Sequence, residues 1–213
     1  MRYDALLAPL AERLRQPLPG HAAHAEMAPF PARATVETLS IEQNEGTPAA
    51  TLVLLYPGDE GEARFVLTVR HGSLRTHAGQ VSLPGGRIER DETPEDAARR
   101  EAFEEVGVAP EAVVILGRLT PLYIPPSRFS VWPIVATVGA RPPFVAQETE
   151  VTAVLDIALA DLLAPGARQR AMRDAPLGRW DVPYFALAGH DVWGATAMML
   201  AEVAAVVGPL IPR

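Results

Sequence analysis

Cysteine is absent from this chain of 213 residues, which excludes disulfides and thiolate-held zinc. A membrane-length apolar run is missing as well. The most apolar stretch, Ala195 to Val207, is interrupted by Glu202 and is shorter than the ~20 residues a bilayer demands. The opening Met1-Arg2-Tyr3-Asp4 has none of the apolar character of a signal peptide. These absences point to a cytoplasmic protein without a membrane partner. Positive charge is in short supply too. A net charge of −7 argues against a nucleic-acid partner. No internal repeat or low-complexity linker divides the chain, so residues 1–213 read as one domain, with 1–35 as an N-terminal helix and wrapping arm.

A hydrophobic content of 48% is ample for a core. Residues 4–15 carry leucines at helical spacing (Leu6, Leu7, Leu10, Leu14), and Pro17 to Ala32, rich in proline and alanine, reads as an arm wrapping the domain. Ala49 to Tyr56 and Arg64 to Arg70 read as strands of a hairpin closed by the turn at 57–61. Further strands are expected at 112–119, 129–138 and 150–157. Pro121, Pro125 and Pro126 make 120–128 a shaped loop without regular structure. Asp161 to Arg173 reads as helix or helix plus loop. Short extended segments at 182–185 and 191–193, joined by a turn at 188–190, lead into a closing helix at 195–207, stopped by Gly208-Pro209. Strands interleaved with a few helices imply an α/β fold, a mixed sheet between helices.

The most informative stretch is Gly86 to Val108. Thr93-Pro94 starts a helix, with threonine as N-cap and proline at the first helical position. Asp96 comes close to completing a capping box, and Gly107 supplies a left-handed C-terminal residue. On that helix, 94–106, Ala98, Ala102, Phe103 and Val106 share one side, and Glu101, Glu104 and Glu105 the neighbouring one. Three like charges on one arc repel by about 0.2–0.5 kcal/mol per pair, so packing gives no reason for them. Two readings follow. A hard divalent cation, Mg²⁺ or Mn²⁺, turns the repulsion into coordination. Alternatively the arc is a solvated acidic face, partly offset by the pair Arg100–Glu104. Ahead of the helix, Leu83-Pro84-Gly85-Gly86 lets the backbone turn sharply and approach a ligand closely.

Gly86, Glu92, Arg100, Glu101, Glu104, Glu105 and Gly107 stand in the spacing G-x5-E-x7-R-E-U-x-E-E-x-G-U, with Ala102 and Val108 at the apolar positions. This resembles the signature of the Nudix hydrolases, which cleave nucleoside diphosphates linked to another group. The resemblance implies an α/β/α sandwich with residues 86–108 as the Nudix box. It implies metal-assisted hydrolysis with Mg²⁺ or Mn²⁺ held by Glu101, Glu105 and, directly or through water, Glu104. A backbone carbonyl of the Gly85-Gly86 loop joins them. Arg100 orients the glutamates, Glu92 fixes the loop–helix geometry, and the general base is a box glutamate or a later loop residue, Glu148 or Glu150.

A second motif lies upstream: Val66-Leu67-Thr68-Val69-Arg70, then Arg75, Gly79 and Leu83-Pro84-Gly85-Gly86. It is similar to the extra signature of the coenzyme A pyrophosphatase branch, and Asp191 to Ala197 looks like that branch too. Val66, His71 and Leu83 depart from its pattern. The resemblance implies coenzyme A or acyl-coenzyme A as substrate; Arg70 and Arg75 are the candidate partners for its anionic groups, with Gly86 also on the substrate side, and a monomer or homodimer is expected. Another nucleoside diphosphate derivative, such as ADP-ribose or a dinucleotide, is the alternative. A silent, ligand-sensing domain is the third, although this chain keeps every box glutamate. Arg70 has a second reading as an ion-pair partner of the acidic helix. Tyr123 and Phe129 are stacking candidates or core. Trp132, Trp180 and Trp193 read as core. His21, His24, His77 and His190 are left out of the chemistry.

Overall fold

The computed structural model describes residues 1–29, 35–72, 79–175 and 178–211. In chain order the elements are helices α1 (Tyr3–Arg13), α2 (His21–Ala25) and α3 (Val36–Leu39), then strands β1 (Thr47–Pro57), β2 (Ala63–Arg70), β3 (Val81–Ser82) and β4 (Gly85–Arg87). Helix α4 (Pro94–Val106) is followed by β5 (Val114–Arg118), β6 (Leu122–Ile124), β7 (Phe129–Thr137) and β8 (Val151–Ala158). The chain closes with α5 (Leu159–Leu163), β9 (Arg168–Ala175), β10 (Gly178–Leu187), β11 (His190–Trp193) and α6 (Gly194–Val207).

β1 is the spine. Its run Leu52 to Tyr56 is buried throughout, as expected of a strand covered on both faces. It pairs antiparallel with β2 and parallel with β7, from Thr47↔Phe129 to Leu55↔Thr137. β5 and β6 extend the sheet from β7, and β8 extends it from β2. Because successive side chains alternate across a strand, β1 feeds two cores. Leu52, Leu54 and Tyr56 meet Ala98, Ala102 and Val106 of α4. Val53 and Leu55 meet Leu6 and Leu10 of α1 and Val203 of α6. Helices on both faces of a mixed sheet make the expected α/β/α sandwich. Each fully buried large side chain, such as Tyr56 or Phe65, contributes about 1.5–3 kcal/mol.

The N-terminal half of β1 has a different neighbour. There β4 takes the place of β2, pairing Ala49↔Arg87 and Thr51↔Gly85, while β3 borders the far end of β2. Strands β1 and β2 therefore diverge, and residues 81–87 fill the wedge, held by the Leu52 N–H to Pro84 carbonyl bond of 2.8 Å.

Several expectations need correction. The proline segment 120–128 holds a short strand after all, since Leu122 to Ile124 lie between the prolines and pair with β7. Residues 161–173 are not mainly helix: α5 ends at Leu163 and Arg168 onward is strand. That strand lacks an apolar stripe because charge satisfies it across the sheet. Arg170 Nε donates to both carboxylate oxygens of Asp181, at 2.9 and 3.0 Å, and Arg173 donates to Asp191 at 2.6 Å. The arm at 17–32 contains α2, and residues 30–34 lie outside the described residues. Trp180 and Trp193 are half-buried rather than core, and Arg173 stacks on the Trp193 ring at 5.6 Å. Among the described residues no helix is long and apolar enough to cross a membrane.

One buried carboxylate ties the C-terminal helix to two distant segments. Glu202 of α6 is fully buried. It accepts from the Gly20 N–H (3.0 Å), the Thr120 hydroxyl (2.6 Å), the Thr120 N–H (3.0 Å) and His24 Nε2 (2.9 Å). Burial by itself pushes this carboxyl up, but the bonds from His24 and Thr120 outweigh it and hold it below the ordinary value of 4.5. A depressed carboxyl contributes stability that is complete above its ordinary value and is lost as pH falls through the folded one. Glu202→Gln should therefore cost about 1–3 kcal/mol near neutrality. Urea melts should show that penalty shrinking below pH 4.5. A penalty constant between pH 7 and pH 3 would contradict the assignment.

Candidate active site

Helix α4 starts and stops where its sequence says. The Thr93 hydroxyl accepts the Asp96 N–H at 3.2 Å and donates to the Asp96 carboxylate at 2.6 Å. Asp96 thus grips the hydroxyl, not the Thr93 backbone N–H that a full capping box would use. Gly107 ends the helix at φ 74°, in the left-handed region that favours glycine.

The buried arc differs from the one expected. Phe103 is 55% exposed, whereas Glu105 is buried. Seven residues at 100° bring Glu105 within 20° of Ala98, while Phe103 stands about 140° away. The alanine face lies so close to β1 that a carboxylate one turn along is carried under the helix with it.

There the Glu105 carboxylate, 3% exposed, has sparse company. It accepts the Gly85 N–H at 3.2 Å and lies 3.5 Å from the Arg70 guanidinium. Burial pushes its pKa up to about 8; Arg70 and the Gly85 N–H pull against this, and the charges of Glu101 and Glu150 add to it. Glu101, one turn earlier, lies against Gly86 so closely that a β-carbon on Gly86 would fall 2.3 Å from its Oε1. Its carboxyl is also raised, first by burial and then by Glu104 and Glu150, with Arg100 opposing. Glu104 points outward, 53% exposed, and accepts from Arg100 at 3.2 Å. Among the described residues no three carboxylates or imidazoles form a ready cation cage.

Arg100 organises this face. Its fork grips Glu92 at 2.7 and 3.0 Å, its Nη1 donates to Glu101 at 2.9 Å, and its Nη2 reaches the Arg87 carbonyl at 2.9 Å. Glu92, held below its ordinary value chiefly by Arg100, also accepts the Glu89 N–H at 2.9 Å. Loop and helix are thereby locked together, as bidentate arginine pairing allows.

The later loop closes over the helix end. The Gln147 N–H donates to the Glu105 carbonyl, and the His71 N–H to the Glu150 carbonyl at 2.7 Å. Glu148 and Glu150 are both exposed, and Glu150 is the one whose charge raises Glu101 and Glu105 together. Arg70, at the end of β2, meets the acidic helix as an ion pair. Arg75 and His77 lie outside the described residues. Spacing passed over Arg87, an unspecified position of the box, whose guanidinium sits 5.6 Å over the Phe129 ring.

Residues 46–177 match the model of the NUDIX domain. The chain belongs to the NUDIX family. Among relatives of this NUDIX chain, Nudix hydrolase 15, mitochondrial, of Arabidopsis thaliana is 34% identical over 165 residues, covering 74% of this chain and 58% of the plant protein. The protein named uncharacterized Nudix hydrolase NudL of Cronobacter sakazakii is 37% identical over 154 residues, covering 69% of this chain and 77% of its own. The chain thus spans less than three fifths of the plant relative's length. The crystal structure of RenU, a Nudix hydrolase from M. smegmatis, superposes with a TM-score of 0.54 at 18% identity over 78% of this chain and 88% of RenU. That likeness is one of fold.

Proposed function

We propose that this NUDIX protein is a divalent-metal-dependent pyrophosphohydrolase that splits coenzyme A or acyl-coenzyme A into 3′,5′-ADP and (acyl-)4′-phosphopantetheine. The observation that carries the hydrolase reading is Glu105. A buried carboxyl with one N–H and one guanidinium 3.5 Å away, raised by burial and by two further carboxylates, is a group that a divalent cation would hold ionised. That donor set fits Mg²⁺ or Mn²⁺, hard ions that prefer oxygen.

Glu101 and Glu105 would hold the ion, with the Gly85 carbonyl beside them and Glu104 contributing through water. A bound ion supplies charge neutralisation at the diphosphate and lowers the pKa of the attacking water. The chain's own groups do the rest. Water adds to one phosphorus, the bridging oxygen departs on the other phosphate, and the proton released by water passes to a carboxylate. Glu150 takes that role in preference to Glu148, because its charge already acts on the two buried glutamates. Arg100 keeps Glu101 and Glu104 in place, and Arg70 offers the diphosphate a guanidinium once an ion has taken over Glu105. The backbone at Gly86, bare of a side chain, leaves room for the Glu101 carboxylate against the loop.

The coenzyme A branch rests on the 64–86 motif. Hydrolysis of coenzyme A, dephospho-coenzyme A, ADP-ribose and a dinucleoside polyphosphate, each with Mg²⁺ and Mn²⁺, tests it. Coenzyme A should be cleaved with the highest kcat/KM, about ten- to a hundredfold above dephospho-coenzyme A if one charge-assisted bond reads the 3′-phosphate. Faster turnover of ADP-ribose would replace the substrate. No turnover of any member would leave a ligand-sensing domain.

A further inference from the structure

With 26 acidic residues against 19 basic ones, all arginine, this chain has carboxylates to spare for every cation. Nearly all the described arginines use them. Their guanidinium groups hold a carboxylate, as Arg15, Arg64, Arg118 and Arg141 do, or a backbone carbonyl, as Arg2 and Arg13 do. Among the described residues the exceptions are Arg87 and Arg128. Phe129 links them: Arg128 precedes it in the chain, and the Arg87 guanidinium lies over its ring.

The strand register places their backbones near the start of β1. Gly86 pairs with Ala50, whose side chain belongs to the α4 side of the sheet, and Arg87 pairs with Ala49, which belongs to the other core. Phe129 pairs with Thr47, two residues from Ala49 along β1, and so shares the face of Arg87. Arg87 thus emerges one residue beyond the glycine pair, on the face opposite Glu101. Arg128 stands at φ 57°, a conformation that non-glycine residues seldom adopt. It is fixed by its N–H to the Ile124 carbonyl at 2.8 Å and its carbonyl to the Thr47 N–H at 2.8 Å. A long cationic side chain kept at a position that suits glycine or asparagine points to a use for the cation.

We propose that Arg87 and Arg128, with the Phe129 ring between strands as a stacking platform, form a subsite for a phosphomonoester on the ribose of the substrate's nucleoside. This is a separate group from the diphosphate that is cleaved. The proposal deepens the pyrophosphohydrolase reading and rests on its placing of the diphosphate at Gly85-Gly86. A phosphomonoester carries close to two charges at neutral pH, which suits two guanidiniums with no other anion to hold. Stacking on Phe129 uses the face of Arg87 and leaves its N–H edge free to donate in plane.

Binding, not turnover, tests it first. Calorimetry on the full chain should show adenosine 3′,5′-bisphosphate or adenosine 2′,5′-bisphosphate binding about ten- to a hundredfold more tightly than AMP. The favoured isomer identifies the ribose position. Arg87→Ala should abolish most of that preference and leave AMP affinity within about twofold, with Arg128→Ala acting in the same direction. Unchanged thermal melts are expected, since both side chains are exposed. Equal affinity of wild type for AMP and both bisphosphates overturns the subsite, as does a preference that survives both substitutions and vanishes in Arg75→Ala. If the bisphosphate preference holds while coenzyme A is not hydrolysed, the subsite stands and the coenzyme A reading falls.

Discussion

Glutamine in place of Glu105 should lower turnover by two or more orders of magnitude at saturating Mg²⁺, about 3 kcal/mol or more of lost transition-state stabilisation. Glu101→Gln should do the same. In the metal-free protein the sign on stability is opposite. The folded Glu105 carboxyl lies near 8, above its ordinary 4.5, so the folded state holds a proton that the unfolded state releases. Metal-free stability should therefore fall as pH rises from about 4.5 to about 8. Glu105→Gln, with no proton to lose, should flatten that decline and melt no lower than the parent at pH 8. Added Mg²⁺ or Mn²⁺ should raise the melting temperature of the parent more than that of either variant. Activity within a few-fold of the parent in both variants would remove these glutamates from the chemistry.

The two glycines of the wedge should separate stability from activity. A β-carbon on Gly85 would fall 2.3 Å from the Ala50 carbonyl oxygen and 2.7 Å from Thr51 Cα. Both are backbone atoms of the central strand and have nowhere to go. Gly85→Ala should cost about 1–3 kcal/mol, as overpacking does, read as a fall in melting temperature. On Gly86 the same β-carbon meets only the end of the Glu101 side chain, at 2.3 Å. That carboxylate can swing away, so Gly86→Ala should melt close to the parent. Its kcat should nonetheless fall about a hundredfold if, as proposed, the displaced carboxylate is one that holds the ion. A Gly86→Ala variant with parental kcat would show that the position of Glu101 is immaterial.

What the sequence disclosed depended on how local the cause was. Thr93, Pro94 and Gly107 act on their own turns, so the limits of α4 were legible to the residue. The hairpin of β1 and β2 was legible because one turn joins its strands. Leu122 to Ile124 were not, since their strand exists only by pairing with β7. The same holds for β9, whose charged residues find their partners on β10 and β11. Within the site, three glutamates on one arc could be read from spacing. Which of them turns inward could not, because the close approach of an alanine face to β1 decides it. Arg87 escaped notice for another reason: its significance lies in lacking a carboxylate, and a missing partner leaves no pattern in a sequence.

The place of β1 also bears on the route by which the chain folds. One flank needs only the short turn to β2, but the other needs β7, and closing the loop from residue 58 to 128 exacts an entropy that the hairpin does not. Parallel, non-local pairings of this kind are slow to form. The last closure is longer still, since Glu202 must find Gly20, His24 and Thr120 before α6 can cover its side of the sheet. The acidic helix is complete in sequence by residue 106, yet the other face of the sheet waits for the final helix. On loop-closure entropy alone, the hairpin is expected to form early and the α6 cover late.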